Sequence, residues 1–241
     1  MNMIDHSQRT AAKVAGWSGL LTFAIVVIGN YMLLNPLVVP GDAVATAQNI
    51  VAHQTQVRIT LVCFLTYSLG VIVLLTALYV ILKPINPGLA LVGALFRLVF
   101  ALLWLLAPLN LFGALRLLSN ASYLQVFEPD RLQAMARLHI GANFDAYYVG
   151  LPFFGLAATF CAWLWLKSNY IPRGLSIFGV IASAWCVLCA FIFLIFPHFN
   201  KVVNDYLFDT PMALFELIVS FWLLFKGLKP VPPNQSQADA L

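Results

Sequence analysis

Three ionisable side chains sit inside otherwise apolar runs of this 241-residue chain: Arg97, Asp145 and Glu216. An ionisable group at membrane depth is expensive and marks a pairing, binding or proton-carrying role. Arg97 can neutralise an anionic headgroup or pair with a carboxylate, and Glu216 or Asp145 can carry a proton. Asn30, Asn110 and Asn143 add amides within the apolar runs. Counted from estimated span ends, Arg97 lies about 12 Å from one edge and the two carboxylates about 8 Å from the other, a vertical gap of about 10 Å. An Arg97–carboxylate pair is therefore expected to be within reach of a long side chain. Three meanings stay open for it: a lock on helix packing, a polar cavity for a substrate or proton, or snorkelling of the carboxylates to the interface.

A second group comprises His53, His139 and His198, which fall near one face in the topology argued below, together with Asp42, Asp145, Asp209 and Glu216. Histidines and carboxylates from several helices are what a metal or acid–base centre needs. However, no H-E-x-x-H, H-x-x-x-H or G-x-S-x-G motif occurs, so the histidines are weak metal candidates and no catalytic residue is assigned. Cys186 and Cys189 form a C-x-x-C within an apolar helix, where thiols pack as small hydrophobes. No cofactor is expected.

The elements that must hold these groups follow from composition. The chain is 62% hydrophobic and 9% charged, with a mean hydropathy of +0.90, whereas soluble domains carry roughly 25% charged residues. The fold class expected is an all-α integral membrane protein with the lipid bilayer as its medium. Its lysines and arginines are scattered, so nucleic acid is not expected as a partner. Six stretches reach the roughly 20 apolar residues a spanning helix needs: about 15–34, 58–82, 89–117, 140–166, 174–196 and 211–228. Together they make one six-helix domain over 1–228. KPINPG at 83–88 and NYIPRG at 169–174 are tight turns between antiparallel neighbours. The Pro-rich, polar segment 229–241 is expected to be a disordered tail. No internal repeat is evident.

An even number of spans puts both ends on one side. With the N-terminus inside, seven Lys and Arg residues fall on the cytoplasmic side and five outside, and five of the six lysines are among the seven. The expected location is the cell membrane, multi-pass, with both termini cytoplasmic.

The polar interruption VVPGDAVATAQNIVAHQTQVR at 38–58 reads as a short amphipathic helix over about 42–56 at the outer face. Pro40-Gly41 turns the chain and Asp42 caps the helix. Asp42, Thr46, Asn49, His53 and Gln56 then recur at intervals of 4, 3, 4 and 3, one stripe on a helix. The stripe faces either water or a polar pocket. A second amphipathic piece begins at Pro129 and is able to run into the fourth span.

Several segments together resemble a bacterial family of multi-pass membrane proteins, catalogued as domain-of-unknown-function family 4386. They are VVPGDAVATAQNIVAH followed by Arg58, LYVILKPINPGLALVGALFRLV at 78–99, FFGL at 153–156, SNYIPRGLSIFG at 168–179 and ELIVSFWLLFKGL at 216–228. The resemblance implies six membrane helices and no activity. Its segments carry Asp42, Thr46, Asn49, His53, Arg58, Arg97 and Glu216.

The functional expectation is binding or transport of a small polar or amphiphilic ligand, such as a lipid. The pocket would lie in the outer half of the bundle, lined by Arg97, Asn110, Asn143, Asp145 and Glu216 beneath Asp42, Asn49 and His53. One alternative is a membrane enzyme with an outward-facing His/carboxylate site, with or without a metal, although the balance leans away from an enzyme. The other is a structural or accessory protein. No oligomeric partner is indicated.

Overall fold

The computed structural model describes residues 4–119, 121–204 and 206–229. Most of the tail expected to be disordered, from residue 230 on, lies outside them. The described residues hold no strand. Eight α-helices follow in chain order: α1 His6–Val26, α2 Ala43–Ala52, α3 Gln54–Leu82, α4 Pro87–Trp104, α5 Leu106–Leu117, α6 Pro129–Ser168, α7 Arg173–Ile195 and α8 Tyr206–Phe225. Six helical stretches are long and apolar enough to cross a membrane: His6–Leu37, Gln54–Leu82, Pro87–Leu117, Pro129–Ser168, Arg173–Ile195 and Tyr206–Phe225. The chain is an all-α, multi-pass membrane protein.

Local chemistry sets the ends of these helices. Asp5 and Gln8 form a reciprocal cap on α1. The Gln8 amide donates to the Asp5 carboxylate at 2.6 Å, and the Asp5 amide donates to the Gln8 side chain at 3.2 Å. Asn86 caps α4 by accepting from Leu89 N–H at 2.9 Å, and Pro87 supplies the first-turn proline. Asn204 accepts from Tyr206 N–H at 2.9 Å, and α8 starts five residues before the span expected from about 211. Beyond α8, Gly227 takes a positive φ of 66° and donates back to Trp222 O, an ending that favours glycine.

Two spans are irregular. The first leaves α-geometry at Val27 and runs as a π-helix over Val27–Leu34, then a 3-10 turn over Asn35–Leu37. Pro36, lacking an N–H, cannot continue the α ladder there. The third is interrupted at Leu105, between α4 and α5. The piece starting at Pro129 does run into the fourth span, as one 40-residue helix with Pro152 inside it.

Contacts divide the chain into two compact units. One comprises residues 1–21, 70–100 and 151–241. Its core joins Ala11, Ala12 and Ala15 of α1, Leu74 and Ile81 of α3, Trp165 of α6, and Phe215 and Leu223 of α8. Small residues bring its helices close, as membrane packing requires. A Cβ at Gly16 would lie 2.9 Å from Ser220 O, and one at Gly155 would lie 3.2 Å from Ser183 O. One end of this unit is tied together by polar bonds. Gln8 Nε2 donates to Ile81 O at 3.1 Å and to the Tyr170 hydroxyl at 3.3 Å, and Lys229 N–H donates to Tyr170 O at 2.9 Å. The start of α1 and the ends of α3, α6 and α8 therefore share one face.

The other unit comprises residues 22–69 and 101–150. Leu34, Ile50, Val57, Phe64, Leu111 and Ile140 are buried in it. Trp104 is its aromatic centre, 5.3 Å from Phe64, 4.6 Å from Tyr67 and 6.2 Å from Tyr147 between ring centroids.

Candidate intramembrane ion-pair site

Arg97 lies ten residues into α4 and Glu216 ten residues into α8. At 1.5 Å per residue each is about 15 Å from its helix start, close to mid-span. The two side chains pair in a fork. Arg97 Nη1 donates to Glu216 Oε2 at 3.3 Å, and Nη2 donates to Oε1 of the same carboxylate. The 10 Å gap estimated from sequence does not exist, because α8 begins at Tyr206 and this places Glu216 deeper.

The Arg97 side chain is 3% exposed and that of Glu216 is 24% exposed. A lone guanidinium at this depth would be severely destabilising; a two-pronged carboxylate partner satisfies both charge and geometry. The Phe154 ring of α6 lies 5.3 Å from Arg97 Cζ, adding a cation–π contact, and Phe154 stacks on Phe100 at 4.6 Å. Next to Arg97, Leu75, Tyr79, Ala90, Gly93 and Cys161 help line a recess of about 10 Å³. That is room for one water. Organic ligands occupy sites of roughly 300–1,000 Å³.

Of the residues expected to line one pocket, the structure brings Arg97 and Glu216 together. Asn110, Asn143, Asp145, Asp42, Asn49 and His53 belong to the other compact unit. There Asn143 is buried, Asn110 half-buried and Asp145 exposed on α6. His139 of α6 packs against Gly113 of α5, where a Cβ would lie 2.6 Å from its Nδ1. His198 is exposed in a 3-10 turn, and His53 is exposed at the end of α2. Among the described residues no three His, Cys, Asp or Glu side chains are grouped to hold a metal ion.

The polar stripe of 42–56 has a more local use than either direction considered from sequence. Asp42 caps α2, accepting from Ala45 N–H at 2.8 Å. Thr46 is buried; its Oγ1 accepts from Val39 N–H at 3.0 Å and donates to Asp42 O at 2.8 Å. Asn49 Nδ2 donates to Leu37 O at 3.3 Å, and Gln56 Nε2 donates to Leu33 O at 2.8 Å. The stripe thus satisfies backbone groups where the first span ends, groups that otherwise lack partners. His53 does not continue the helix: α2 stops at Ala52 and α3 starts at Gln54. The His53 ring nitrogen lies 2.9 Å from Asn49 O.

Sequence reasoning missed Phe154 and Cys161. Phe154 lies in the FFGL segment, but an apolar ring carries no charge signal that would single it out.

Compared with known families, the chain matches the model described as "Domain of unknown function (DUF4386)" over residues 14–227. Neither the curated proteins nor the solved structures contain a match.

Proposed function

We propose that this chain, which belongs to the DUF4386 family of unknown function, binds or transports a small anion in exchange for Glu216, with the Arg97–Glu216 pair as its working site. The observation that carries this reading is the fork-shaped ion pair, buried mid-span beside a water-sized recess. Arginine stays charged, so whatever takes the place of Glu216 on Arg97 is anionic. Glu216 then has to be neutralised, and a proton is the simplest means, so ligand entry and protonation are coupled. The recess takes one water, so the entering species is a small ion unless the helices part.

The test uses purified full-length protein. Chloride, acetate or phosphate at millimolar concentration is expected to raise the melting temperature of the wild type and not that of Arg97→Gln. Infrared spectroscopy is expected to show a protonated-carboxyl band that appears on anion addition and is lost in Glu216→Gln. If no anion acts through Arg97 and Glu216 stays ionised throughout, this function is wrong.

A second reading is favoured by the mutual satisfaction of the pair: a structural lock in an accessory membrane protein. An apolar double variant, Arg97→Met with Glu216→Leu, separates the two. A lock predicts that stability and cellular phenotype both survive. A working site predicts that stability survives and the phenotype does not.

The same proposal places both termini on the cytoplasmic side of the cell membrane, supported by seven Lys and Arg residues against five. In intact cells, a membrane-impermeant maleimide is expected to label Val126→Cys and to spare Lys83→Cys; the reverse would invert the topology.

A further inference from the structure

We propose that the face on which α1 begins and α8 ends binds anionic phospholipid headgroups. This inference is independent of the ion-pair site. Arg9, Lys13, Arg173 and Lys226 are exposed at or near that end, and so are Lys83, Lys167 and Lys229. Asp5 is the one carboxylate there among the described residues, and it is committed to capping α1. The other ends of the spans carry Arg58, Arg116, Arg131, Arg137 and Lys201 against Asp42, Glu128, Asp130 and Asp209, so among the described residues the two signs nearly cancel there. The charge asymmetry is therefore concentrated on one face.

The second observation concerns what the lysines rest on. Lys83 Nζ lies 5.8 Å from the centre of the Tyr79 ring, Lys167 Nζ 5.4 Å from Trp163, and Lys229 Nζ 5.2 Å from Trp222. Each pair sits where a span ends, the level at which aromatic rings settle among headgroups and lysines reach out to phosphate. A water-borne polyanion has no use for this aromatic floor, whereas a lipid headgroup meets ring and ammonium together. Basic residues at a membrane surface attract anionic lipid additively and lose that attraction in salt.

The experiment titrates full-length protein in neutral detergent with phosphatidylglycerol or phosphatidylcholine of identical acyl chains and counts retained lipids by native mass spectrometry. The wild type is expected to retain phosphatidylglycerol at least about ten-fold more strongly. Each of Lys83→Gln, Lys167→Gln and Lys229→Gln is expected to lower that preference about five-fold, and Lys→Arg at the same positions to keep it. Equal retention of the two lipids would overturn the proposal. So would a preference unchanged in the triple glutamine variant, or one that inorganic phosphate abolishes at millimolar concentration. If the triple variant does not fold, the wild-type lipid ratio and its loss in high salt decide the matter.

Discussion

The Arg97–Glu216 pair and the α2 stripe are both polar insertions in an apolar chain, and they are satisfied in opposite ways. Arg97 finds its partner 119 residues away, on another span. Thr46, Asn49 and Gln56 find theirs in the backbone at Leu33–Val39, between 7 and 23 residues back. A periodic set of neutral side chains can be absorbed by backbone groups left over at a nearby helix end. A single charge at mid-span cannot, because no backbone carbonyl cancels a full guanidinium charge as a carboxylate does. A buried isolated charge therefore signals long-range structure, and polar periodicity signals local structure.

The largest effect should come from breaking the long-range pair on one side. Glu216→Leu leaves the buried Arg97 charge alone, expected to cost about 3–5 kcal/mol in unfolding experiments in detergent. Next comes packing in the same unit. Gly179 lies against the Phe215 ring, and Gly179→Leu should cost about 1–3 kcal/mol by overpacking, read as a lower melting temperature. Local satisfaction is worth less. Asp42→Ala removes the α2 cap and Gln56→Leu the bond to Leu33 O, each expected to cost about 1 kcal/mol. Faster hydrogen exchange confined to residues 33–53 would show that the loss is local. Exposed Asp145 marks the lower limit: Asp145→Asn should shift stability by no more than about 0.5 kcal/mol. A large effect there would move the charge-bearing centre into the other unit.

How much of this was legible in the sequence follows the same division. Six runs of about 20 apolar residues, separated by Pro/Gly turns and polar segments, were enough for the six spanning helices. The Asp42 cap was readable from Pro40-Gly41-Asp42 and the residues after it. Arg97 and Glu216 stood out as charges, but which carboxylate Arg97 meets was not readable. That depended on where α8 begins, and the apolar run from about 211 implied a later start than the one at Tyr206, where Asn204 accepts from the first amide. The break at His53 and the π-helical end of the first span were also hidden, because both rest on hydrogen bonds between segments. The stripe was visible as a spacing, and the backbone groups that use it were not.

A double-mutant cycle on Arg97 and Glu216, using Arg97→Gln, Glu216→Gln and the double variant unfolded in the same detergent, tests the pair most directly. The ion pair requires the two losses to be coupled by about 2 kcal/mol or more, with the double variant little worse than either single one. Losses that simply add, with coupling under about 0.5 kcal/mol, would mean that the two charges are held apart from each other.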